Sequence, residues 1–247
     1  MKKLSMLILF LVFISASIFG WQKTPAANAV DVAVAEDGTV AVANRAGELW
    51  ISIDAGTNWT RSPQASGVIR VSMSSDASIM GIVNRDGQFF VSRDRGASWT
   101  TTTATGIVDA SVGRTNTFIV NRAGEVWFSP NNFTAWRQTN IVGMNLVVFG
   151  GPFILLVDRA GVVHTADFSN NPSLAIRRTP GTNSVDIDVS PNGQLWSVNT
   201  AGEIWFSADR GTTWRKDADA ANVAAVSKCN RYTFIVNKTG EVWFKTN

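Results

Sequence analysis

The 247-residue sequence is poor in the residues on which most small-protein chemistry depends: it has one cysteine, one histidine and one tyrosine. A lone Cys229 excludes an intramolecular disulfide, and it stands too far from the N-terminal segment to serve as a lipoprotein cysteine. A lone His164 has no convergent partners in the sequence for a metal site or an acid–base pair. No catalytic residue, metal or cofactor is therefore expected. Charge of one sign is also scarce: the net charge is +3 with a pI near 9.3, too mild for a dedicated nucleic-acid surface. Long apolar runs are absent beyond the first, from Leu4 to about Ile14, which is shorter than the ~20 residues of a membrane span, so no stable membrane insertion is expected.

What the sequence does have is one phrase repeated six times: NRAGELW from Asn44, NRDGQFF from Asn84, NRAGEVW from Asn121, DRAGVVH from Asp158, NTAGEIW from Asn199 and NKTGEVW from Asn237. The copies are 37 to 41 residues apart, the period of a four-stranded blade. Asn followed three residues later by Gly suits a tight hairpin, because Asn bonds its own backbone and Gly accepts the left-handed conformation. A second hairpin reads Ser-x-Asp-x-Gly-x-x-Trp at Ser52/Asp54/Gly56/Trp59, Ser92/Asp94/Gly96/Trp99 and Ser207/Asp209/Gly211/Trp214, with a decayed copy ending at Trp136. Short four-stranded sheets cannot bury both faces alone and must stack around a ring. The sequence thus predicts an all-β, six-bladed β-propeller with repeats at about 30–63, 68–103, 107–139, 144–180, 184–217 and 222–247.

The sixth repeat stops at Asn247 after its third strand, while WQKTPA from Trp21 matches the outer strands TWRKDA and AWRQTN. An outer closing strand at 20–25 is therefore predicted to complete the last blade and remove its exposed edges. Ahead of it, Lys2, Lys3 and the apolar run read as a signal peptide over residues 1–17, cleaved between about 17 and 20, which implies a secreted or periplasmic protein. An uncleaved N-terminal anchor is the alternative. Cleavage after Ala27-Asn28-Ala29 would remove the closing strand.

The repeats resemble those of the tectonin-type propeller lectins, most fully in NGQLWSVNTAGEIWFSADRGTTW from Asn192 to Trp214, and the resemblance extends from Val30 to Asn247. It departs at the second strand, where Trp196 is the only tryptophan. The Ser-x-Asp-x-Gly-x-x-Trp hairpins look like the Asp-box of sialidase-like and sortilin-like propellers, in which the box is a fold device. The tectonin resemblance implies a secreted, non-catalytic carbohydrate-binding protein recognising glycans, including anionic sugars such as lipopolysaccharide. The Asp-box resemblance implies an exported protein–protein assembly scaffold, and an arginine-rich face would suit an acidic protein partner equally well. A sialidase would need Tyr232 with a glutamate and converging arginines, but the arginines fall at repeat positions spread round the ring.

One feature is left over from folding. The residue after each turn Asn or Asp is Arg45, Arg85, Arg122, Arg159 or Lys238, with only Thr200 breaking the series. On one propeller face these five cations form a rim and are the candidate ligand-binding residues. Two readings stand: a solvated turn position that tolerates long polar side chains, or a multivalent site for anionic ligands. Glu48, Glu125, Glu203 and Glu241 follow the turn glycine and are expected to offset part of that charge. The fourth repeat lacks the Asp-box and its Trp, so its outer hairpin is predicted to be irregular; a Trp-equivalent side chain packed from that hairpin, with Ile176 the best candidate, would remove the exception.

Overall fold

In the computed structural model, which describes residues 20–130, 133–169 and 171–247, six sheets of four antiparallel strands form a ring. The signal-peptide expectation falls on residues outside those described. The first blade shows the plan, running outward through Ala29–Val34, Val40–Asn44, Leu49–Ser52 and Thr60–Arg61. The last blade takes its outer strand, Gln22–Lys23, from the N-terminal end, where it pairs with Val242–Thr246. Trp21 beside it is buried among Trp196, Val198, Ala220 and Ile235, so burial fixes the closing strand more firmly than its two paired residues could.

Six apolar clusters lie between blades, not within them. Val34, Val40 and Val42 of the first blade pack with Phe234, Val236 and Val242 of the last. The Asp-box hairpins serve this packing. Ser52 Oγ accepts the Gly56 N–H at 2.8 Å, and Asp54 Oδ1 accepts the N–H of Asn58 at 2.8 Å. These bonds hold a turn in which Ala55 and Gly56 both have positive φ, so the residue before the glycine shares the left-handed conformation. The turn then delivers Trp59 to the seam with the last blade, its indole bonded to the Gly56 carbonyl. Trp136 of the third blade meets Phe89 of the second edge-on at 6.2 Å, as inter-blade packing requires.

In the outer hairpin of the fourth blade Ile176 does not pack in the place of the missing Trp; it is 43% exposed. Leu174 is buried there instead, and Phe168 packs edge-on against Phe118 and Phe128 at 4.8 and 5.2 Å. The hairpin hangs on Asn140 of the preceding linker, which exchanges side-chain bonds with the Leu174 N–H and carbonyl. Asn140 thus ties the Leu174 backbone to the seam with the third blade, while the strand that follows, Ile176–Arg178, is exposed at all three residues.

The innermost strands all carry a β-bulge near their start, the register shifting at Ala29/Asp31, Val68/Arg70, Ile107/Asp109, Met144/Leu146, Ser184/Asp186 and Val223/Ala225. A bulge re-aims the residues around it. Asp31, Arg70, Asp109, Leu146 and Asp186 are thereby brought to the central channel, a cavity of about 330 Å³.

Candidate binding rim and central channel

Each second-to-third-strand turn docks on the start of the following blade. Gly47, with φ +82°, lies so close to Gly67 that a Cβ would come within 2.8 Å of its Cα, and the Val68 N–H donates to the Gly47 carbonyl. This geometry gathers the turn tips and the blade linkers into one rim. There the five predicted cations are joined in series. Arg159 Nη2 donates to the Arg122 carbonyl at 2.9 Å, Arg122 to that of Arg85 at 3.3 Å, and Arg85 to that of Arg45 at 2.6 Å. Arg45 donates to Lys238 at 3.1 Å and Lys238 Nζ to Thr200 at 3.0 Å. The rim cations thus have a structural use that the sequence reading missed, since each caps the turn of the preceding blade. An arginine has five donors, however, and these bonds leave most of them open to solvent.

The neighbouring glutamates, expected to offset part of this charge, form no ion pair with the rim cations among the described residues. Glu48 accepts from Asn44 Nδ2 at 2.9 Å and from Trp50 Nε1 at 3.2 Å, and pairs outward with Arg61 at 3.2 Å. Glu203 repeats the clamp with Asn199 and Trp205 and pairs with Lys216; Glu241 does so with Asn237 and Trp243 and pairs with Lys23. Each carboxylate is therefore turned from the rim toward the outer strands. Among the described residues, none of Arg45, Arg85, Arg122, Arg159 and Lys238 forms an ion pair with a carboxylate. In the fourth blade the clamp shrinks to Asp158 and His164, 2.9 Å apart. The exceptional histidine is thus the local partner of the exceptional aspartate. No group of three or more potential metal-ligating side chains occurs among the described residues.

Beneath the rim the channel holds a charge cluster. Arg70 of the second blade stands among Asp31, Asp109 and Asp186 of the first, third and fifth, at 3.9, 3.6 and 3.9 Å. A second oxygen of each aspartate accepts a backbone N–H of the following blade: Val71, Val147 and Val226, each at 2.8 Å. Asp188 does the same for Lys228. Burial pushes the Asp109 and Asp188 carboxyls up to about 6 and raises those of Asp31 and Asp186 as well, against the opposing pull of Arg70 on Asp31, Asp109 and Asp186. Four carboxyls with raised pKa in a cavity resemble an acid–base site. Here, however, their oxygens are spent on holding blades together. The signal for this cluster was present in the sequence as a charged residue inside apolar strands, in VDV, IRV, VDA and VDI.

A second cavity, of about 480 Å³, lies beside the joint of the fourth and fifth blades, walled by Leu146, Arg159, Asn183, Val185 and Thr200, and reaches Val108 and the channel residue Arg70.

Comparison with solved structures places the chain among β-propellers. It superposes on a structure described as YCF48 bound to D1 peptide with a TM-score of 0.65 at 14% identity, over 92% of this chain and 97% of that one. The gluconolactonase XC5397 from Xanthomonas campestris gives a TM-score of 0.70 at 11% identity, over 91% of this chain and 88% of that one. A chain of a mitotic checkpoint complex gives 0.67 at 11% identity, covering 100% of this chain and 99% of that one. No family model and no curated protein matches the sequence. At such identities the likeness defines the fold, and the fold hosts enzymes as well as binding proteins.

Proposed function

We propose that this propeller is a non-catalytic, exported binding scaffold whose basic rim takes an acidic segment of a protein partner. The observation that carries this reading is the ring of five cations left without carboxylate partners while the adjacent glutamates are drawn to the outer strands. Uncompensated positive charge on one face attracts an anionic partner, and several modest contacts engaged together gain from effective concentration. The neighbours described as holding a D1 peptide and as part of a checkpoint complex support protein binding as a use of this architecture.

Anionic glycans, lipopolysaccharide included, are the second reading. It is favoured by the tectonin resemblance and by the half-buried rings of Trp50, Trp127, Trp205 and Trp243, which recur beside the rim turns. The deciding experiment measures binding of the purified chain to acidic peptides and to lipopolysaccharide at equal ionic strength. Peptide binding that is lost on reversing the rim charges supports the scaffold; binding to lipopolysaccharide alone supports the lectin; binding to neither refutes the rim as a recognition surface.

A further inference from the structure

Two kinds of side-chain tie recur between neighbouring blades, one on the rim and one in the channel, and both are absent from the same joint. Along the rim, a cation donates to the carbonyl of the preceding turn at five joints, but Thr200 is too short to do so, and among the described residues no side chain donates to the Arg159 carbonyl. Along the channel, an Asp or Ser side chain accepts a backbone N–H of the next blade: Asp31 from Val71, Ser72 from Val112, Asp109 from Val147, Asp186 from Val226 and Ser227 from Val34. Leu146 occupies the aspartate position of the fourth blade and has no acceptor to offer. The joint between the fourth and fifth blades therefore lacks both side-chain ties, while the Ser184 N–H bond to the Gly161 carbonyl and the outer Arg210–Asp167 pair remain, and the 480 Å³ cavity lies beside it.

We infer that this joint is the anchoring pocket for the acidic segment, taking one aliphatic side chain of the partner. The inference rests on the rim reading and adds register to it. Leu146, Val157 and Val185 give the pocket an apolar wall, and Val185 is 39% exposed, an apolar side chain presented at a bulge. Asn145 and Asn183 stand beside that wall, and amides of this kind suit the backbone of an extended peptide. The Arg159 carbonyl accepts from the segment the hydrogen bond that a rim cation supplies elsewhere. Acidic residues flanking the aliphatic one lie along Arg159 and Arg122. The wall is mixed, with Asp158, Ser184 and Thr200 beside the apolar side chains, and the volume lies within the range of ligand pockets.

The test uses the full chain and fluorescein-labelled octapeptides of Asp and Glu in which one position is scanned through Leu, Val, Asn and Lys, read by fluorescence anisotropy. Thr200→Arg restores the repeat residue and closes the joint while adding a positive charge to the rim. The expected result is a wild-type preference for Leu or Val at one position, and binding about tenfold or more weaker in Thr200→Arg, as for a contact central to an interface. Val185→Asp, which leaves Thr200 in place, is expected to weaken binding in parallel, with both variants melting near the wild type. If Thr200→Arg binds as tightly as the wild type or more tightly, and no position prefers an aliphatic residue, the anchoring pocket is refuted while charge recognition by the rim stands. If no acidic peptide binds the wild type at low salt, the rim reading falls and the pocket with it.

Discussion

The Arg70 Nε stands 3.6 Å from the Asp109 carboxylate, which also accepts the Val147 N–H, so one side chain of the third blade links the second blade to the fourth. With Asp31 and Asp186 at 3.9 Å from Nη1, a single guanidinium is shared by carboxylates from three blades.

Replacing Arg70 with Met leaves three buried carboxyls facing one another. Breaking a buried ion pair by removing one partner costs about 3–5 kcal/mol, and for a domain of this size that lowers the melting temperature by roughly 10 °C. Thermal denaturation followed by circular dichroism measures this. Adding Asp109→Asn and Asp186→Asn should recover part of the loss; no recovery would mean that Arg70 acts through packing and not through charge.

The same cluster sets a pH dependence of defined sign. Asp109 and Asp188 have folded pKa values of about 6 against an ordinary value near 3.9. The folded chain therefore binds more protons than the unfolded chain between pH ~4 and ~6, and stability falls as pH rises through that window. The Asp-box carboxylates do the opposite. Hydrogen bonds from Asn58, Ser98 and Thr213 hold Asp54, Asp94 and Asp209 down to about 2, so their contribution is present above pH ~4 and is lost as pH falls toward 2. Melting temperatures measured from pH 3 to 8 should peak near pH ~4–5, between the two windows. In Asp109→Asn/Asp188→Asn the decline above pH 5 should flatten. An unchanged slope in that variant would assign the decline to other groups.

Closure by the N-terminal strand makes Trp21 a structural residue. Its indole is 4% exposed, with Lys245 Nζ 4.8 Å from the ring centroid and no hydrogen-bond partner on Nε1. Trp21→Ala should cost about 3–5 kcal/mol through the cavity it leaves. Trp21→Phe should cost less, because no indole hydrogen bond is forfeited. Urea denaturation of the two variants checks the order; equal losses would show that the aromatic filling is not what closes the ring.

The ring, the four strands per blade and the borrowed closing strand were legible because they rest on local chemistry that repeats. Asn44 bonding to the Glu48 N–H, and Ser52 to that of Gly56, recur wherever the same letters recur. The charge cluster was harder to see. Asp31 and Arg70 look like interruptions of apolar strands until the bulges bring them to a common axis, and their partners are about forty residues away. The direction of Glu48 was misjudged for a related reason: its choice of Trp50 and Arg61 over the rim depends on side-chain geometry, not on spacing. Which side chain of the fourth outer hairpin turns inward was not legible, because the bond from the Leu174 N–H to Asn140 spans 34 residues.

Charge reversal on the rim separates recognition from folding. Arg45, Arg85 and Arg122 each donate a side-chain hydrogen bond to a neighbouring turn carbonyl and pair with no carboxylate among the described residues. Exposed contacts of this kind contribute about 0–1 kcal/mol each, so Arg45→Glu/Arg85→Glu/Arg122→Glu should melt within a few degrees of the wild type. Binding of acidic peptides should be abolished in that variant. Wild-type binding should weaken as salt rises from about 0.05 to 0.5 M, because the screening length shortens to a few ångströms over that range. Isothermal titration at both salt concentrations checks both points. A ligand whose affinity ignores the triple substitution and the salt would place recognition away from the rim, with the half-buried tryptophan faces between blades as the next surface to probe.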